Sequence, residues 1–151
     1  LPEANRATFT FSYLCGMLKD IHRPEVENIA LTVVREVDVT NGETVWNVYL
    51  VNLYDEPITG VLVTSKGYGE LNGEIVKTSI LRHLVERVEA LDYVKIEPIM
   101  PALFGLNNEY WVSFYMDGQI FDKKYVFLPE SITDDNFIPI PFIGKPGVML
   151  R

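Results

Sequence analysis

Along much of the chain, apolar and polar positions alternate with a period of two, the pattern of strands with one buried face. In residues 29–38 (IALTVVREVD), Leu31, Val33, Arg35 and Val37 share a face. In residues 44–53 (TVWNVYLVNL), Trp46, Val48 and Leu50 point one way, and Asn47, Tyr49 and Val51 the other. Asn41-Gly42 lies between the two runs. Both residues tolerate positive φ, so the pattern predicts a hairpin closed by a type I′ turn. Pro57 then breaks the ladder because it has no N–H to donate. A third strand is predicted over residues 59–65 (TGVLVTS), followed by a Gly-rich connection over residues 66–73 (KGYGELNG).

The period changes after that. EIVKTS and YVKI read as strands, but Ile80, Leu81, Leu84, Val85, Val88 and Leu91 form a stripe at helical spacing within a breaker-free run. The prediction for residues 74–99 is strand, short helix, strand, with the helix over residues 78–91. Pro98 and Pro101 end it. Residues 109–128 read as a second hairpin around Asp117-Gly118. Trp111, Ser113 and Tyr115 share one face of its first strand, and Tyr110, Val112, Phe114 and Met116 the other. Both faces are apolar, which predicts a central strand with Trp111, like Trp46, in the core. SITDDNF predicts a helical turn capped by Ser131 or Thr133. The tail IPIPFIGKPGVMLR alternates prolines and is expected at a sheet edge or extended across one face.

Strands that follow one another without intervening helices predict a mainly β fold. The expectation is an antiparallel sheet or an immunoglobulin-like β-sandwich of six to seven strands with one short helical insertion. A chain of 151 residues has the size of one domain. Residues 17–151 are read as that globular β-rich domain. Residues 1–16 lack the strand pattern and precede the first Met, Met17; they are read as an upstream segment outside the fold. A signal segment around TFTFSYLCGML is the competing reading.

The formal charge is −8, with 13 basic against 21 acidic residues. The longest basic run is Lys123-Lys124. Nucleic acid and anionic membrane are therefore poor matches. No stretch reaches the roughly 18 apolar residues of a membrane-spanning helix. Cys15 is the only cysteine, so a disulfide within the chain is excluded and a cytoplasmic location is expected.

Few residues carry candidate chemistry. Ser65-Lys66-Gly67-Tyr68-Gly69 offers an anion-binding turn, with backbone N–H groups freed by the glycines and charge from Lys66. His83, beside Arg82 and near Glu86, has the makings of a general base oriented by a carboxylate, although no nucleophile pattern accompanies it. Lys66, Tyr68, Arg82 and His83 together make a candidate site for a small ligand or an enzyme. Asn107 and Asn108 near Trp111, with Lys123 and Lys124 across the hairpin, make a candidate binding surface. His22 and His83 are too far apart for zinc-ligand spacing, and Asp134-Asp135-Asn136 lacks the calcium-loop pattern. No catalytic residue, metal or cofactor is assigned.

The stretches WNVYLVNL, GVLVTSKGYGE, LNNEYWVSF and DKKYVF, within residues 17–151, resemble a family of small bacterial proteins with no assigned activity. Its members are often labelled phenylalanyl-tRNA synthetase alpha subunit. The label implies a translation-associated RNA contact. A class II synthetase core needs an Arg-x-Glu motif that reads ATP and a Gly-rich stretch ending in Arg. Here Arg87 and Glu89 stand without that Gly-rich partner, so a synthetase activity is not supported. The leading expectation is a non-catalytic interaction or structural module, with a protein partner or self-association through an edge strand. A small-ligand site and an RNA contact are the alternatives.

Overall fold

The period-two runs become ten strands in a computed structural model that describes residues 25–151. The expectations for residues 1–16, Cys15 and His22 lie outside the described residues. In chain order the strands are β1 (Ile29–Val37), β2 (Thr44–Asn52), β3 (Ile58–Leu71), β4 (Glu74–Lys77), β5 (Leu81–Val88) and β6 (Asp92–Pro98). They continue with β7 (Asn107–Met116), β8 (Gln119–Phe127), β9 (Ile138–Pro139) and β10 (Pro146–Leu150). Two 3-10 turns, Pro101–Leu103 and Asp134–Asn136, are the helical elements among the described residues.

The strands form two antiparallel five-stranded sheets, a mainly β, sandwich-like fold. The first sheet has the order β6-β2-β1-β10-β9. The second has the order β4-β3-β7-β8, with β5 paired to the same edge of β3 as β4 but further along it. Between the sheets lies the main core, with Leu31, Val33, Val48 and Leu50 facing Val61, Val63, Val112 and Phe114. Phe114 stacks on Phe121 at 5.4 Å, and Trp46 packs edge-on against Phe104 and Phe137.

The outer faces of the two sheets differ. Ala30, Val34, Tyr49 and Val51 on the outer face of the first sheet are covered by Ile140 and Ile143. The tail thus does both things expected of it: it lies across a face, and through β10 it also extends the sheet beyond β1. Glu36 anchors it, accepting hydrogen bonds from Lys145 Nζ (2.8 Å), Asn47 Nδ2 (2.6 Å) and the Tyr49 hydroxyl (2.8 Å). The outer face of the second sheet has no such cover among the described residues.

Several expectations are corrected. The predicted helix over residues 78–91 is strand β5, paired with β3 from Ser65↔Leu81 to Ile58↔Val88. The register between β3 and β7 shifts at Gly60, which takes φ +54°. Opposite that irregularity, the inward position of β5 steps from Val85 to Val88. A bulge thus gives a strand an i, i+3 spacing that mimics a helix. The predicted Gly-rich connection is the second half of β3, and the turn is Asn72-Gly73, with φ 53° and 81°. Asp117-Gly118 has the expected conformation, at 53° and 74°. At Asn41-Gly42 the hairpin is as expected, but only Gly42 has positive φ, within a wider loop closed by Asp38 and Glu43. The strand count exceeds the six to seven expected because β5 lies in the predicted helix and β9 and β10 lie in the tail. Trp111 is 47% exposed and not a core residue.

Candidate functional site

Alternation along β3, β5, β7 and β8 sorts the candidate residues onto two faces. Cross-strand register places Arg82, Thr64, Trp111 and Lys124 in one row on the outer face of the second sheet. Lys124 Nζ stands 5.7 Å from the Trp111 ring centre, a cation–π distance. The adjacent row holds Lys66 opposite Glu109, their charged groups 3.6 Å apart. Tyr68 donates its hydroxyl to the same carboxylate at 3.2 Å. Burial, with the nearby Glu109 charge, pushes the Tyr68 phenol upward, so it stays protonated and donates. Leu62, Leu84 (77% exposed) and Tyr115 (48% exposed) complete an aromatic, aliphatic and cationic surface.

Lys66, Tyr68, Arg82 and Lys124 are therefore brought to one face. The Gly-rich segment does not form the predicted anion-binding turn. Its backbone is consumed by pairing with β7 and β4. Gly67 donates its N–H to Thr78 Oγ1 at 2.7 Å, and Gly67 O accepts the Thr78 N–H at 2.9 Å. Asn107 donates to the Tyr68 carbonyl. Asn108 is buried and donates to the carbonyls of Leu103 and Leu106, which fixes the approach to β7. Lys123 lies on the inner side and donates to the Val26 carbonyl at 2.9 Å.

His83 also points inward, away from Lys66 and Arg82, and there it meets a residue that the sequence did not flag. Glu97 on β6 reaches across from the first sheet. Its Oε1 lies 2.6 Å from His83 Nε2 and accepts the Ser65 hydroxyl at 3.0 Å. Its Oε2 accepts the Tyr110 hydroxyl at 3.1 Å. Burial, reinforced by the Glu97 carboxylate, pushes the Tyr110 phenol well above its ordinary range, so it donates at any physiological pH. Ser65 and His83 converge on one carboxylate oxygen. That geometry does not give a hydroxyl–imidazole–carboxylate relay, in which the imidazole would take the hydroxyl proton. It is a carboxylate anchor joining the two sheets. Beside it is a cavity of about 200 Å³, lined among others by Ser65, Thr78, Glu97, Asn108 and Tyr110. Glu97 was not legible because its only local signal is a Glu-Pro pair at a strand end. Three partners from three other strands give it meaning.

Among the described residues, no three metal-binding side chains cluster, and no helix is long and apolar enough to cross a membrane. Arg87 and Glu89 form an ion pair with each other at 2.5 Å. Of the remaining cations, Lys95 lies on β6 in the first sheet. No family model, curated protein or solved structure matches the chain.

Proposed function

We propose that this protein is a non-catalytic interaction module whose binding face is the outer surface of β5, β3, β7 and β8. One observation carries the reading: the tail covers the outer face of one sheet, while the other exposes Trp111 and Tyr115 on a central strand. Tryptophan and tyrosine flanked by cations are the side chains that anchor protein interfaces. Arg82 and Lys124 on either side of Trp111 favour a partner protein that presents carboxylates around an apolar group. A photo-crosslinking amino acid at position 111, in the native cell, is expected to capture one defined partner. The same probe at Val39, 98% exposed in the β1–β2 hairpin loop, serves as background. Equal labelling at the two positions overturns the reading.

The cavity beside Glu97 supports a second reading, a small polar ligand held by Ser65, Thr78 and Asn108. A thermal-shift screen of small polar metabolites tests it: a hit whose shift disappears in Thr78→Val supports it, and the absence of any hit removes it. An RNA contact rests on the family resemblance alone.

A further inference from the structure

Among the described residues, β5 pairs on one side only, with β3. Its other edge is open, and the residues there are not the guards expected on an unpaired edge strand. Ile80, Leu81 and Leu84 are all exposed. The outward residues of β5 read Arg82, Leu84, Glu86: a cation, an apolar residue and an anion at equal spacing. Such a sequence is complementary to itself when reversed.

We infer that β5 pairs antiparallel with β5 of a second copy of this chain, in the register that sets Leu84 opposite itself. That register alone places Arg82 of each copy opposite Glu86 of the other, giving two cross-strand ion pairs around one leucine pair. Shifting the centre to His83 sets Arg82 against Leu84 and leaves Glu86 facing Ile80. Shifting it to Val85 sets Leu84 against Glu86. The chosen register also continues a row that already exists. Leu62 is opposite Leu84 within each copy, so the two-fold axis completes four leucines across the joined sheets. The pairing is isologous, as a closed dimer requires.

The opposite edge of the second sheet fits less well. On β8, the register that pairs Asp122 with Lys124 puts Lys123 opposite itself, and Lys123 is already engaged with the Val26 carbonyl. That same contact shows where the described chain begins: beside β8, at the edge of the second sheet opposite β5. The edge pairing shares Arg82 with the face proposed for a partner but does not use Trp111, so self-association of the isolated chain and capture of a partner at position 111 are read separately.

Sedimentation equilibrium of the full chain is expected to show a reversible dimer, twice the 17.2 kDa chain mass, with a dissociation constant in the micromolar range. Arg82→Glu and Glu86→Arg should each weaken it about tenfold or more, and the double exchange should restore it to within about threefold. In a Cys15→Ser background, which removes the only other thiol, Leu84→Cys should form an intermolecular disulfide under mild oxidation. Arg82→Cys should not, because its two copies lie about 13 Å apart in this register. A strictly monomeric chain overturns the inference. So does a dimer indifferent to both charge reversals, or crosslinking through His83→Cys in place of Leu84→Cys. A monomer whose Leu84→Cys thiol resists a maleimide reagent is covered by its own chain, which also overturns it.

Discussion

Two glutamates, each holding three partners, organise this molecule at the scale of single residues. Glu97 receives the hydroxyls of Ser65 and Tyr110 and contacts His83, all from the opposite sheet. Glu97→Ala leaves these groups around an apolar gap, and unsatisfied buried polar groups are costly. The expected loss is about 2–3 kcal/mol in chemical denaturation, with the two-state slope unchanged. Glu36 holds the tail. Partial burial pushes its pKa up, but hydrogen bonds from Lys145, Asn47 and Tyr49 outweigh this and bring it below its usual 4.5. A lowered folded-state pKa adds stability that is present above the unfolded value and lost as pH falls through the folded one. Glu36→Gln should therefore lower the thermal midpoint at neutral pH, and its deficit should shrink once the pH drops below about 4.5. A deficit that is constant down to acid unfolding contradicts the role assigned to that charge.

Among the elements, β7 separates stability from binding by simple alternation. Tyr110, Val112 and Phe114 are buried, while Trp111 and Tyr115 face outward. Truncating a buried aromatic side chain costs roughly 3–5 kcal/mol. Trp111→Ala is expected to cost less than about 1 kcal/mol, because it removes an exposed ring and one cation–π contact. The same substitution should abolish capture of the proposed partner. A large loss of stability would place Trp111 in the core, as period-two patterning alone predicted. Strand β5 shows the converse. Its outward Leu84 adds nothing to the core, and its contribution there comes from Val88, with Val85 packed against the core's edge.

Across the whole molecule, charge argues against polyanions. The six cations with the best claim to a nucleic-acid site are Lys66, Arg82, Arg87, Lys95, Lys123 and Lys124. Lys66 is paired with Glu109 and Arg87 with Glu89, while Lys123 is tied to a backbone carbonyl. Lys95 lies on the other sheet. Counterion release needs several clustered phosphate contacts. Total tRNA at about 0.15 M salt should therefore bind more weakly than micromolar in a mobility-shift titration. Micromolar binding that falls steeply with salt would favour the RNA contact implied by the family resemblance.

The linear sequence determined the fold class, which residues share a face on β1, β2 and β7, and the hairpin at Asp117-Gly118, because period-two alternation and turn chemistry are local. It could not distinguish β5 from a helix. The irregularity of β3 at Gly60 is matched in β5 by a three-residue step from Val85 to Val88, and only the pairing with β3 shows the step for what it is. Nor could it say which apolar face of a strand would be left open. Trp111 and Tyr110 are adjacent aromatics on one strand, and their fates differ because the tail covers the outer face of the other sheet. The Glu97 anchor was equally invisible, since its partners come from three strands brought together across the sandwich. Tertiary structure decided these points because each depends on which surfaces meet, and that information is not contained in any single stretch of chain.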